Sequence, residues 1–139
     1  MTRIVRIGPD TIGLLDRIAP DVFDAPIDPE LIGAMFAAGN HHLFVALDAD
    51  LVVGQCLGMV LHGPDRPAAL YIDNLGVTGT HRRQGIGSGL LKAIFVTGKE
   101  AGCTWAWLGS DPDSDTALPF YHALGLPFQT IQYTEFGLS

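Results

Sequence analysis

The sequence predicts an α/β protein of the α+β kind, in which strands and helices are interspersed along a single domain, residues 1–139. Two stretches and the length carry that expectation. Residues 69–91 read ALYIDNLGVTGTHRRQGIGSGLL: an apolar strand to Val77, a polar turn from Thr78 to Gly85, then a helical spacing of apolar residues at Ile86, Leu90, Leu91, Ile94 and Phe95. Residues 43–47 and 51–61 are two apolar runs around the acidic turn Asp48-Ala49-Asp50, the pattern of an antiparallel hairpin. A chain of 139 residues is one domain by length, large enough to bury roughly 68–70% of its unfolded surface.

In order, Ile4, Val5 and Ile7 predict a short strand stopped by Gly8-Pro9, and residues 11–19 a helix ended by Pro20. Residues 21–29, with three acids and two prolines, predict an exposed connection to a second helix over residues 30–38, which Gly39-Asn40 closes. After the hairpin, residues 62–67 form a loop. The central helix fades near Gly102, and residues 104–108 predict another strand, with Trp105 and Trp107 on one face and expected in the core. Residues 111–115 turn the chain into a last helix over residues 117–124. Pro119 belongs in its first turn, Asp115 or Thr116 caps it, and Gly125 stops it. Residues 128–136 alternate apolar and polar residues, which predicts a final strand. No internal repeat or low-complexity segment breaks this order.

The formal charge of −7 and the pI of about 4.9 argue against a general nucleic-acid binder and allow a cationic partner. No apolar run approaches the ~20 residues of a membrane span, and no signal-peptide core precedes Pro9, so the expectation is a soluble cytoplasmic protein. Cys56 and Cys103 lie in apolar runs without C-x-x-C spacing and read as reduced core residues. The histidines at 41, 42, 62, 81 and 122 show no ligand spacing, so no metal is expected.

The turn before the central helix carries the chemistry. A helix start leaves backbone N–H groups without intrahelical partners and holds the positive end of the helix dipole, a setting suited to phosphate oxygens. Gly85 and Gly87 allow close approach there, while Arg82 and Arg83 supply guanidinium charge. A dinucleotide fingerprint needs G-x-G-x-x-G, whereas Leu90 stands three residues after Gly87, and the Gly-Lys-Ser/Thr ending of a P-loop is absent. A phosphate-bearing cofactor of another kind follows.

The run Arg82-Arg83-Gln84-Gly85-Ile86-Gly87 resembles the acetyl-coenzyme A signature of GNAT-type N-acetyltransferases: Arg or Gln, two residues, Gly, one residue, Gly or Ala. The strand ending Leu75-Gly76-Val77 and the helix that follows suit that resemblance, and the predicted element order matches over nearly the whole chain. LYIDNLGVTGTHRRQGI, the stretch SDTALPFYHALGL and the short tail after Gly125 are most similar to aminoglycoside 3-N-acetyltransferases of the gentamicin-modifying kind. The resemblance implies a twisted, mixed but mostly antiparallel sheet of six to seven strands flanked by about four helices, and a homodimer. It also implies acetyl-coenzyme A as co-substrate, held by Leu75, Gly76, Val77, Arg82, Arg83, Gln84, Gly85, Ile86, Gly87 and Ser88. Tyr121 would protonate the departing thiolate, and Asp73 would draw a proton from the acceptor amine or bind its charge. Tyr71, Asn74, Asp111, Asp113 and Asp115 would line the acceptor side.

One departure bears on the acceptor. The family places a Tyr-Asp pair just before Leu-x-Val, whereas Asp73-Asn74 stands here, and a one-residue shift in a regular strand turns a side chain to the other face. Three functions follow: an acetyltransferase for a polycationic amine such as an aminoglycoside; the same chemistry on a polyamine, an amino-acid-like metabolite or a protein amine; or a coenzyme A-binding sensor without turnover.

Overall fold

In the computed structural model, which describes residues 2–114 and 116–139, five strands form one sheet in chain order. They are β1 (Thr2–Ile7), β2 (His41–Asp48), β3 (Leu51–Leu61), β4 (Ala69–Val77) and β5 (Trp105–Leu108). The first four pair antiparallel, and β5 joins β4 parallel after a crossover through α2 (Ile86–Glu100), so the sheet is mixed. The chain divides into two compact units, Met1–Leu108 and Gly109–Ser139, each described on its own below.

In the first unit, α2 turns Ile86, Leu90, Leu91 and Ile94 onto one face of the sheet, each burial worth about 1.5–3 kcal/mol. The strands leave room for it. A Cβ on Gly54 would stand 3.1 Å from Ile86, and one on Gly58 2.9 Å from Ile94, so these glycines of β3 let the helix lie close. The hairpin of β2 and β3 is present as the sequence predicts. So is α1 (Pro29–Ala38), with Pro29 in its first turn, Asp28 accepting from the Glu30 N–H at 2.9 Å, and Gly39 left-handed at φ 79°.

The expected helix over residues 11–19 is instead a short 3-10 turn, Ile12–Asp16. Its opening bonds, from Thr11 N–H to Gly8 and from Leu14 N–H to Thr11, span three residues rather than four. The chain then extends, because Val52 N–H donates to Arg17 and Ala19 N–H to Val52, an exchange with the start of β3 that a continued helix would forfeit. Arg17 also pairs with Asp50. Trp105 and Trp107, expected in the core, are 44% and 42% exposed. They sit on β5, the edge of the sheet, and Trp107 lies against Tyr71 with ring centroids 4.2 Å apart.

The second unit holds α3 (Ala117–Ala123). Its first N–H, that of Ala117, donates to the Ser114 hydroxyl at 3.0 Å, while Thr116 makes no side-chain cap bond and Asp115 lies outside the described residues. Gly125, at φ 75°, ends the helix as expected. The predicted strand over residues 128–136 is not formed: these residues are exposed and join no ladder among the described residues. Alternation fits a residue to a strand, but only a neighbouring backbone makes one. Among the described residues, five strands, three α-helices and two 3-10 turns thus stand where six to seven strands and about four helices were expected.

Candidate functional site

The pairing of β4 decides where its side chains go. Leu57 stands opposite Asn74 and Gly58 opposite Ile72, so Asp73 is an extra residue, a β-bulge. On the far side of β4, β5 runs beside Ala69 to Ile72 only, and the residues from Asp73 to Val77 continue beside β3 alone. The bulge therefore sits where the two parallel strands part. Thr78 N–H donates to Val53 across β3, so by the alternation of a strand the N–H groups of Val77 and Leu75 point to the edge that β5 no longer covers.

The same bulge settles which way the acid faces. Gly54, Cys56 and Gly58 look toward α2, and Ile72 and Leu75, opposite Gly58 and Cys56, share that face. Tyr71, Asn74 and Gly76 face the other way. Asp73, which shares with Asn74 the place opposite Leu57, joins them: its charge lies near the Tyr71 phenol, whose pKa is raised by burial first and then by that carboxylate. The extra residue thus presents both Asp73 and Asn74 on the face away from α2, removing the opposition of faces that a regular strand would impose. No sequence signal marks this, since a bulge shows only in the partner's register.

Beyond β4, a 3-10 turn (Gly79–His81) leads to Arg82, Arg83, Gln84 and the start of α2. Arg82 Nε donates to the Val77 carbonyl at 3.2 Å, folding the guanidinium back along the strand end. Arg83 at φ 62° and Gly85 at φ 78° are both left-handed, and nothing lies within 4 Å of a Cβ built on Gly85. The first helical bond runs from Gly89 N–H to Gly85, and no side chain caps the helix, so the N–H groups of Ile86, Gly87 and Ser88 lack intrahelical partners. Ile86 contributes only backbone, its side chain being buried under Gly54. N–H groups without intrahelical partners, following a glycine with open space at its Cβ position and two arginines, fit a diphosphate. The outward N–H groups of Leu75 and Val77 fit the amide arm and the acetyl oxygen of coenzyme A.

Two features of the site were not foreseen. His81 Nε2–H donates to Asp48 at 2.8 Å while His81 Nδ1 shares a 2.8 Å hydrogen bond with the Thr80 hydroxyl, tying the turn to the end of β2. That bond holds the Asp48 carboxyl below the ordinary carboxylate range. And Val22, inside the connection expected to be exposed, is 2% exposed and lies over Gly76, flanked by exposed Asp21 and Asp24.

In the second unit, Tyr121 is buried, with its ring 5.2 Å from Phe120 and 5.8 Å from Phe128. Asp113 N–H donates to the Asp111 carboxylate at 2.9 Å, a local turn in which both side chains stay exposed, while the candidate Asp115 lies outside the described residues. His122 is exposed, edge-on to Phe128. Cys56 is buried, with its thiol pushed up to about 12 by desolvation, and Cys103 is half-buried. Among the described residues no group of three or more His, Cys, Asp or Glu is placed to hold a metal ion, and no helix is long and apolar enough to cross a membrane.

The sequence profile of the acetyltransferase (GNAT) family matches residues 12–126. Among solved structures, an aminoglycoside acetyltransferase from an uncultured soil metagenomic sample, in complex with sisomicin, is 24% identical with a TM-score of 0.83, over 99% of this chain and 97% of that one. A transcriptional regulator from Bacillus halodurans C-125 is 21% identical with a TM-score of 0.79, over 99% and 100%. Glucosamine-6-phosphate N-acetyltransferase from Arabidopsis thaliana is 18% identical with a TM-score of 0.75, over 98% of each chain. At these identities the likeness is one of fold. No curated protein matches the chain by sequence.

Proposed function

The chain belongs to the acetyltransferase (GNAT) family, and from that premise we propose that residues 1–139 act as one domain that moves an acetyl group from acetyl-coenzyme A to a primary amine of a polycationic small molecule. An aminoglycoside, at its 3-N position, is the acceptor proposed. The observation that carries the reading is the bulge at Asp73: it puts a carboxylate and the Asn74 amide on one face at the point where β4 loses its parallel neighbour and its N–H groups turn outward.

Acetyl-coenzyme A supplies a thioester whose carbonyl an amine attacks directly. The N–H groups of Leu75 and Val77 would hold that carbonyl oxygen as charge gathers on it, a type of stabilisation worth on the order of 10²–10³ in rate per donor. Ile86, Gly87 and Ser88 N–H groups, with Arg82, Arg83 and Gln84 about them, would hold the diphosphate. Asp73 takes the amine's proton, directly or through water, or binds its positive charge, while Tyr71 and Asn74 line the acceptor's approach. Tyr121, in the role the family resemblance gives it, returns a proton to the thiolate; a phenol keeps its proton at neutral pH and is suited to donate it. Asp111, Asp113 and Asp115 are assigned to the acceptor by the same resemblance.

Free cysteines and a need for acetyl-coenzyme A favour a cytoplasmic setting. A homodimer is the assembly proposed, supported by the exposed tryptophans on edge strand β5. A second reading, a coenzyme A-binding sensor without turnover, is favoured by the fold shared with a transcriptional regulator. One experiment separates them. Coenzyme A release is measured with a panel comprising an aminoglycoside, a polyamine, an amino acid and a peptide amine. Turnover fastest with the aminoglycoside is expected; turnover of another amine changes the acceptor; binding of acetyl-coenzyme A with no turnover supports the sensor.

A further inference from the structure

Gln55 is the one amide in the run LVVGQCLGMVL, and it is 0% exposed. Its Nε2 donates to the Val22 carbonyl at 3.2 Å, and its Oε1 is buried with no hydrogen-bond partner. An amide buried half-satisfied costs stability, so an apolar side chain would serve the core better. Two more costs converge on the same contact. Gly76 stands directly across from Gln55, and any Cβ there would run into the Val22 carbonyl. Asp21, just before Val22, is held at φ 64°, a left-handed conformation disfavoured for a residue with a side chain. Together they pin the chain across the β4 backbone on the face that carries Asp73 and Asn74. Gly76 is two residues from Asn74, about 7 Å along a strand.

We infer that Gln55 is a positioning residue for acceptor binding, its buried amide fixing residues 21–24 as one wall of the groove onto which Asp73 and Asn74 open. The pinned segment presents Asp21 and Asp24 beside that groove, where a mobile loop would spread the same carboxylates over many positions. The inference rests on the reading of this face as the amine site.

Gln55→Met keeps length and volume and deletes the donor, with Gln55→Leu as the second variant should Met fail to fold. Two measurements are made on the full chain. Amide hydrogen exchange of residues 21–24 is expected to quicken in the variant, with no fall in melting temperature; unchanged exchange there overturns the anchor whether or not the protein is an enzyme. With the best amine of the panel, the acceptor KM is expected to rise roughly three- to tenfold, the worth of one hydrogen bond, while kcat and the acetyl-coenzyme A KM stay within about twofold. An unmoved acceptor KM, or both KM values rising together, overturns the role in acceptor binding. If the parent acetylates no amine, the acetyltransferase reading fails instead, and the exchange result alone decides the anchor.

Discussion

Gly85 shows what one residue does at this site. Its φ of 78° is what a side chain resists, at a cost of roughly 1–2 kcal/mol, and the space before it is free to a ligand. The motif made the glycine legible as a point of close approach; the conformational demand emerged only from the backbone. Gly85→Val is expected to raise the acetyl-coenzyme A KM on the order of tenfold or more, with circular dichroism showing a folded chain, and an unchanged KM would refute the placement of the diphosphate. Tyr121 poses the complementary question. Its ring packs between Phe120 and Phe128, which supports a structural role, and Tyr121→Phe keeps that packing while deleting the hydroxyl. Loss of a positioned acid predicts a fall in kcat on the order of 10²-fold or more with acetyl-coenzyme A affinity retained. Near-parental kcat would leave Tyr121 as packing alone.

Strand β4 and the turn after it were legible as elements because apolar runs and helical spacing report burial, and Ile86, Leu90, Leu91 and Ile94 are all buried. What was not legible depended on partners. The bulge at Asp73 is set by the register of β3, the exposure of Trp105 by β5 being an edge, and the absence of a strand over residues 128–136 by the lack of a neighbour. The tie from His81 to Asp48 belongs to the same class, joining residues 33 apart. It carries a pH signature with a definite sign. The folded-state pKa of Asp48 is lowered, chiefly by the hydrogen bond from His81, so its contribution to stability is full above the ordinary carboxylate value of about 3.9 and is lost as pH falls through the lowered one. Asp48→Asn should therefore lower stability to denaturant at pH 5–7 and converge with the parent toward pH 3, and it should raise the acetyl-coenzyme A KM by loosening the turn. A stability difference independent of pH would show that the ion does not matter.

Across the whole molecule, charge is the property that reaches a substrate before contact. The net charge of −7 reads, by default, as a solvated acidic surface, and such a surface shows no preference among amines. The fold gives it direction in the first unit: Asp73 opens on one face of β4, and Asp21 and Asp24 flank the residue pinned on that same face. An acceptor carrying several ammonium groups gains from each, whereas a mono-amine gains from one, and the attraction is screened over ~8–10 Å at ordinary salt. The acceptor KM of an aminoglycoside should thus rise steeply between low and high ionic strength, that of a polyamine less or equally, and that of a mono-amine little. In the proposed placement the diphosphate would meet Arg82, Arg83 and backbone N–H groups while the surrounding charge repels it, so salt would weaken both effects at once and the acetyl-coenzyme A KM would follow a different law. Asp21→Asn with Asp24→Asn should flatten the aminoglycoside's salt dependence without touching kcat. Equal turnover of all three amines at both salts, or a salt slope that the double variant leaves intact, would remove the polycation from the assignment and leave a different acceptor for the same chemistry.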